Sequence, residues 1–436
     1  MSSVLYSSGI VALKAGKLAP ICMAMVSVVL YMYRFIYEEV VTAIPMNGGS
    51  YNCLLNTTSK RVAAVAAVLS TLAYTATAVV SGTSACYYLQ FVLQANANTV
   101  LANLAEITAG NWLVWIVCID AFVVLSGAVL TSYVGITGLH RRLASDRVMP
   151  AFFAAENKWR GTNHWIILAF FLLTSSLVLL LNGDNVILGG VYTYSFLSLM
   201  FLFAMGCMML KIKRQDIPRD VHAPWWACIS GATLIAVGYF GILLGDPSVI
   251  AYFFYYALGV AVVVFGMLWR VTILRCLIFV LNFCGPYEAV VVAHDPRFFE
   301  REHKRVSLLV RTLKAIKEQP FVFFIKSPNL TLVNKVILYV RANEMTETLR
   351  FVHVYPEVTM ASADTIQALA DVVALFDRIY PKLRTDFVSV KGPFEPATIE
   401  WLSTYWHMPT NMMFIKQPTN TTVHRVSCCG VRVITG

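Results

Sequence analysis

The chain reads IPMNGGSY over Ile44–Tyr51, between two long runs of apolar residues. Proline cannot continue a helix without losing a hydrogen bond, and paired glycines permit a sharp change of direction, so this stretch predicts a helix end followed by a tight turn. A second stretch, LHRRLASDRVMP over Leu139–Pro150, also ends a long apolar run and adds three arginines. The two stretches therefore predict long apolar helices that are joined by short polar turns.

The composition around these turns is that of a membrane protein. Hydrophobic residues make up 58% of the 436 residues and charged residues 13%, and the mean hydropathy is +0.66. About 20 apolar residues are needed to cross a hydrocarbon core of about 30 Å as a helix. Seven segments meet this requirement and are predicted to span the bilayer: 19–43, 62–92, 112–138, 164–182, 186–210, 225–245 and 248–269.

Basic residues indicate the orientation, because Lys and Arg in short loops accumulate on the cytoplasmic side. They occur in the loops around 60–61, 141–160 and 211–219, whereas 93–111, 183–185 and 246–247 contain none. We therefore predict that the first set of loops and the C-terminus are cytoplasmic, in a plasma-membrane protein. This orientation accounts for the net charge of +10, so we expect the lipid bilayer, and no nucleic acid, as a partner.

The pattern changes after residue 285 to short strands alternating with amphipathic helices, which favours a parallel α/β sheet. The predicted strands are 289–293, 321–326, 350–355, 386–391 and 411–416, and the predicted helices are 298–318, 331–343, 362–380 and 395–406. The predicted fold is a polytopic α-helical membrane protein with a cytoplasmic α/β domain. Its predicted parts are a transmembrane region at 1–270, an interfacial linker helix at 271–285 and the α/β domain at 286–436.

Motifs for catalysis are missing from the sequence. No Walker-type or GxGxxG phosphate loop follows the predicted strands, and no cluster of His or Cys has the spacing of metal ligands. We therefore expect no enzyme activity, no metal and no cofactor.

The two turn stretches resemble the amino acid-polyamine-organocation (APC) superfamily of secondary transporters. The second span of this superfamily ends in a similar Pro and Gly-Gly-x-Tyr, and its eighth ends in an Arg-containing segment followed by Asp and Pro. The resemblance implies an amino acid permease with an inverted-repeat core, a substrate site between broken helices, and a coupling ion, Na⁺ or H⁺. It covers most of residues 6–270.

The resemblance also implies candidate site residues. The broken first span corresponds to Ser7, Ser8 and Gly9, which are expected to bind substrate, although a disordered serine-rich leader is an equal alternative. Tyr74 and Tyr192 are further substrate candidates, although helix packing is the default expectation for Tyr74.

Four more residues are candidates for coupling and structure. Ser126 and Ser132 correspond to an ion-coupling position in sodium-coupled relatives, and hydroxyls that serve helix packing are an equal alternative. Arg34 and Glu38 stand four residues apart on one predicted helix face, where a structural ion pair that faces protein or water is favoured over a proton relay.

The match passes from the third span, near residue 92, directly to the eighth, near 112. The sequence thus predicts a core that lacks part of span 1 and spans 4 to 7, and losing an even number of spans preserves the downstream orientation. The segment Val336–Pro356 looks like a universal-stress-type unit, as in the tails of cation-chloride cotransporters, and we expect a homodimer through this domain. Two alternatives to amino acid transport stay open: a non-transporting membrane sensor or anchor, and a cation-chloride cotransporter-like ion carrier.

Overall fold

The computed structural model describes residues 11, 15–44, 48–91, 99–157, 159–215, 219, 221–245, 247–284, 309–357, 360–416 and 431–434. The chain divides into two compact units, Met1–Lys213 with Arg219–Val264, and Arg214–Pro218 with Phe265–Gly436. Ser7, Ser8, Gly9 and the predicted strand 289–293 lie outside the described residues. The predicted fold class is confirmed: long apolar helices precede a parallel α/β sheet.

The first unit is built from helices. They are α1 (Ala19–Ala43), α2 (Ser50–Thr57), α3 (Lys60–Phe91), α4 (Val100–Ala109), α5 (Asn111–Ser145), α6 (His164–Leu180), α7 (Asn185–Lys213), α8 (Trp225–Gly245) and α9 (Pro247–Leu268). Two of them, α2 and α4, lie in segments that the sequence analysis treated as turns or loops.

Six helices in the described part of the chain are long and apolar enough to cross a membrane: Gly16–Ala43, Lys60–Phe91, Asn111–Ser145, Ile187–Lys213, Trp225–Gly245 and Val249–Leu268. The seventh predicted span, 164–182, corresponds to α6, which is apolar but has only 17 residues. At about 1.5 Å per residue, α6 extends for about 26 Å, slightly less than the hydrocarbon core of an average bilayer.

Helix α3 forms the centre of this unit. In its most apolar window 72% of the residues are buried, against 11% for the window that contains α1 and 22% for α5. It packs against α2, α5, α6 and α7, and its buried face is rich in Ala, Ser and Thr, which let helix backbones approach closely. A small-residue central helix thus organises the membrane unit.

The second unit contains the sheet. Its strands are β1 (Phe321–Phe324), β2 (Thr348–Tyr355), β3 (Arg384–Lys391), β4 (Met413–Lys416) and β5 (Arg432–Ile434). They are parallel in the order β3-β2-β1-β4-β5. The helices are α10 (Arg270–Cys284), α11 (309–318), α12 (Leu330–Asn343), α13 (Met360–Ile379) and α14 (Pro396–Tyr405).

The centre of the sheet is apolar on both faces, as a parallel sheet covered by helices requires. All four residues of β1 are buried, and Phe323 pairs in register with Phe351 of β2 and Phe414 of β4. Helix α10 occupies the predicted linker segment. The predicted domain bounds and the interfacial position of this helix stay predictions.

Candidate functional site

The described end of the IPMNGGSY stretch, Gly48 and Gly49, forms a turn that leads into α2. Gly48 has φ +117° and Gly49 has φ +48°, values that side chains with a Cβ disfavour. A Cβ on Gly48 would also lie 2.9 Å from the Nδ2 atom of Asn52. Both glycines are therefore required by the backbone, and the turn that they permit starts α2 at Ser50.

Helix α2 is short and completely buried, although its sequence, SYNCLLNT, is largely polar. It packs between α3 and α7, and the hydroxyls of Ser50 and Ser70 lie 3.3 Å apart. The Cys53 thiol is enclosed, and burial raises its pKa to about 12. A thiol that stays protonated at neutral pH reacts slowly, so Cys53 is a structural residue in this conformation.

Tyr51 connects the two stretches from which the sequence analysis started. Its hydroxyl donates a hydrogen bond of 2.9 Å to Oδ2 of Asp146, a side chain with no exposed surface. Arg142 lies in the last turn of α5, just before Asp146, and places its Nε atom 3.1 Å from the same carboxylate oxygen. We call Tyr51, Arg142 and Asp146 the motif junction. It fixes α2 to the C-terminal end of α5.

A second buried group of charges lies at the end of α1. Glu39 has no exposed surface, and its carboxylate contacts two cations. Lys211 Nζ lies 3.0 Å from Oε2, and Arg219 Nη1 lies 2.6 Å from Oε1. We call Glu39, Lys211 and Arg219 the Glu39 cluster. The cluster is buried as a whole, because the side chains of Lys211 and Arg219 are only 10% and 4% exposed.

Further hydrogen bonds complete the surroundings of Glu39. The backbone amide of Ala223 donates to Oε2 at 2.9 Å, the Cys207 thiol donates to the same oxygen at 3.5 Å, and Lys211 also donates to the Ala223 carbonyl. Two cations around one carboxylate leave a formal charge of +1 in this cluster. A buried carboxylate with this many donors is stable only while its partners stay in place.

The motif junction and the Glu39 cluster lie at one end of the membrane unit. Glu39 is in the last turns of α1, only one turn segment before Tyr51, and Lys211 is in the last turn of α7. Together they fix the ends of α1, α5 and α7 and the segment before α8. Such an arrangement joins several helix ends through buried polar contacts.

The two tyrosines that were predicted to bind substrate have different neighbours in the structure. Tyr74 lies against Gly135 at the crossing of α3 and α5, so closely that a Cβ on Gly135 would lie 2.4 Å from the tyrosine ring. Tyr192 stacks on Phe196 of its own helix and packs beside the cluster formed by Val79, Val80, Leu177, Leu181 and Leu188. A shared substrate site for Tyr74 and Tyr192 stays a prediction.

The predicted ion-coupling residues differ in their surroundings. Ser132 is buried and donates to the Ala128 carbonyl of its own helix at 3.1 Å, whereas Ser126 is exposed. Their coupling role stays a prediction. Within the described residues, no group of three or more His, Cys, Asp or Glu side chains is placed to hold a metal ion.

Arg34 and Glu38 lie within contact distance, with 3.0 Å between Nε and Oε1, but their side chains are 66% and 40% exposed. The buried carboxylate of this helix is the next residue, Glu39, which the sequence analysis did not single out. Sequence spacing could not identify it, because its partners lie at least 168 positions away along the chain. The basic loop after α7 was recognised only as an orientation signal.

Comparison with known proteins concerns the membrane unit. A family model described as amino acid permease matches residues 1–99 and 90–269, which together amount to more than half of the chain. No curated protein matches the chain significantly. The two matched segments overlap at 90–99, the part of the chain between α3 and α4.

Proposed function

The chain belongs to the amino acid permease family, and on this premise we propose that it is a secondary transporter that moves amino acids across a membrane by alternating access. It is an integral membrane protein, since the family match coincides with six apolar helices long enough to cross a bilayer. Membership of this family makes an amino acid the expected substrate. The expected activity is transport rather than catalysis.

One observation supports alternating access in this chain: Tyr51 and Asp146 meet in a buried hydrogen bond. They come from the two sequence stretches that resemble the superfamily, and each stretch follows a membrane helix. Alternating access needs one face of the transporter to close while the other opens. We propose that the motif junction and the Glu39 cluster hold the cytoplasmic face closed. This is the face that carries the basic loops.

The substrate and ion sites follow from the resemblance and belong to this proposal. Ser7, Ser8 and Gly9 would bind the amino acid at a break in the first span, where free backbone amides can meet a carboxylate. Tyr74 and Tyr192 would supply hydroxyls to the substrate. Ser126 and Ser132 would serve the coupling ion, Na⁺ or H⁺.

We also propose that the core lacks spans 4 to 7 of the superfamily. The family match supports this, because it consists of two segments that overlap at 90–99, close to the predicted gap. A core of this kind needs additional helices to surround a substrate, and a second copy of the chain can supply them. We therefore propose a homodimer, with the α/β domain as its cytoplasmic contact.

The α/β domain is proposed to be a universal-stress-type regulatory domain. Its parallel sheet with helices between the strands supports a compact domain with its own core. A regulatory role fits a domain in which the sequence analysis found no catalytic motif. A plasma-membrane location with a cytoplasmic C-terminus completes the proposal.

Transport is tested with the full chain in proteoliposomes. We expect saturable uptake of a labelled amino acid mixture that depends on a Na⁺ or pH gradient and is unchanged when chloride is replaced by an inert anion. Loss of uptake on chloride replacement would favour the ion-carrier alternative. Saturable binding without uptake, by protein that is folded and correctly inserted, would favour the sensor alternative.

A further inference from the structure

An elongated cavity of about 500 Å³ lies along α6 in the membrane unit. Helix α6 lines it from Ile166 to Leu180, a distance of about 21 Å at 1.5 Å per residue. The opposite wall is formed by α9, including Gly259, Val260 and Val263. The volume is within the range of small-molecule sites, roughly 300–1,000 Å³.

The lining of this cavity is mostly apolar, and no Asp, Glu, Lys or Arg contributes to it. A zwitterionic amino acid would meet neither charged side chains nor the free backbone amides of a broken helix there, because α5, α6 and α9 are continuous helices. Burying unpaired charges is very costly, so the transported substrate of the proposed function does not fit. The cavity instead suits a hydrocarbon body.

Two buried polar atoms on the lining need partners. His140 is 7% exposed; its Nε2 lies 3.4 Å from Thr71 Oγ1, while its Nδ1, beside the Ile136 carbonyl, makes no well-directed hydrogen bond among the described residues. The Tyr256 hydroxyl also lacks a partner in the described part of the chain. A buried polar group without a hydrogen bond costs about 1–3 kcal/mol, so His140 favours a ligand with an oxygen atom.

The position of His140 indicates how such a ligand is oriented. Its ring stacks on Phe153, and the Asn163 side chain donates to the carbonyl of Ala154 just before α6 begins. His140 therefore lies at the end of the cavity that contains the start of α6. The polar end of a ligand would lie there, and its hydrocarbon would follow α6 toward Leu180.

We propose that this cavity binds an uncharged membrane lipid whose hydrocarbon body carries a hydroxyl group, with that hydroxyl at His140 and the hydrocarbon between α6 and α9. A sterol and a long-chain alcohol share this chemistry. The site is separate from the Glu39 cluster and from the motif junction.

The test uses the full chain in phosphatidylcholine nanodiscs with a photoactivatable sterol or a photoactivatable 16-carbon alcohol. Cross-linked peptides are identified by mass spectrometry. We expect one or both probes to form adducts on residues 166–180 and 255–263, and an excess of the matching unlabelled compound to reduce them. The probe that labels these residues more strongly identifies the class of lipid. Equal labelling of all lipid-exposed helices, without displacement, would overturn the proposal.

Two substitutions separate the cavity from general lipid contact. Gly259 lines the cavity and has open space around its Cβ position, so Gly259→Leu fills the cavity without a clash and is expected to reduce displaceable labelling about tenfold. Gly241→Leu on α8 also meets open space but lies outside this cavity, and it is expected to leave labelling unchanged. Equal labelling of both variants would contradict the proposal.

His140→Phe tests the polar end. The ring is retained but its nitrogens are lost, so we expect the probe concentration for half-maximal labelling to rise about two- to tenfold, the range for one hydrogen bond. Gly259→Leu supplies a second test if His140→Phe does not fold. A thermal-unfolding midpoint for each variant identifies such failures, and unchanged affinity in folded His140→Phe would show that the histidine does not bind the hydroxyl.

Discussion

At the residue scale, two adjacent glutamates of α1 have very different surroundings. Glu39 is fully buried among Lys211, Arg219 and the Ala223 amide, while Glu38 pairs with Arg34 at an exposed position. Exposed pairs contribute about 0–1 kcal/mol, whereas removing one partner of a buried pair costs about 3–5 kcal/mol. The two positions therefore form a matched pair for mutagenesis.

We predict that Glu39→Gln lowers the free energy of unfolding by about 3–5 kcal/mol, because it removes the buried carboxylate that Lys211 and Arg219 both contact. Glu38→Gln is the control and is expected to change it by less than about 1 kcal/mol. Denaturant unfolding in detergent, followed by tryptophan fluorescence, measures both. Equal effects of the two substitutions would contradict the structural difference between the residues.

Cys53 provides a second prediction at this scale. Because burial raises its pKa to about 12, the thiol stays protonated at pH 8 and cannot supply thiolate until the solution is far more alkaline. We expect maleimide to label Cys53 at least tenfold more slowly in the folded protein than in protein unfolded in denaturant. Peptide mass spectrometry at successive times measures the rates, and similar rates in the two states would show that α2 is accessible.

At the scale of elements, the close crossing of α3 and α5 depends on one glycine. The Tyr74 ring occupies the space that a Cβ on Gly135 would need. Overpacking a tight site costs about 1–3 kcal/mol, so we predict that Gly135→Ala destabilises the protein by this amount. The double variant with Tyr74→Leu should recover part of the loss in a double-mutant cycle. Additive effects would mean that the two residues do not contact each other.

The motif junction gives another prediction for the packing of elements. Tyr51→Phe keeps the ring but removes the hydroxyl that donates a hydrogen bond to Asp146. A hydrogen bond to a charged group contributes about 1.5–3 kcal/mol to stability. We expect a loss of this size in stability. Because the junction is proposed to close one face, we also expect faster labelling of Cys53. Unchanged stability and labelling would exclude this role.

The hydrophobic pattern predicted an element well where it was either a long apolar run or one of the alternating short segments. Long apolar runs gave the membrane helices, and alternating segments gave four of the strands and the helices between them. Helix α2 was missed because its polar sequence is buried by contacts with α3 and α7. Strand β5 was missed because three residues give too little pattern, and the ion pair of its Arg432 with Glu344, at 2.7 Å, joins residues far apart in the sequence.

The candidate site was predictable only in part. The two motif stretches were recognised from their letters, but their contact through Tyr51 and Asp146 depends on the fold. Glu39 could not be distinguished from Glu38, because a helix places neighbouring residues about 100° apart and only the packing decides which of them is buried. Long-range partners such as Lys211 have no spacing rule that sequence reading can use.

At the scale of the whole molecule, the central claim is that this chain transports amino acids. The most direct measurement is uptake of a labelled amino acid mixture by proteoliposomes that contain the purified 436-residue chain, with empty liposomes as the control. We expect saturable, gradient-dependent uptake that unlabelled amino acids inhibit. Uptake no greater than in empty liposomes, by protein whose folding is verified by a cooperative unfolding transition, would contradict it.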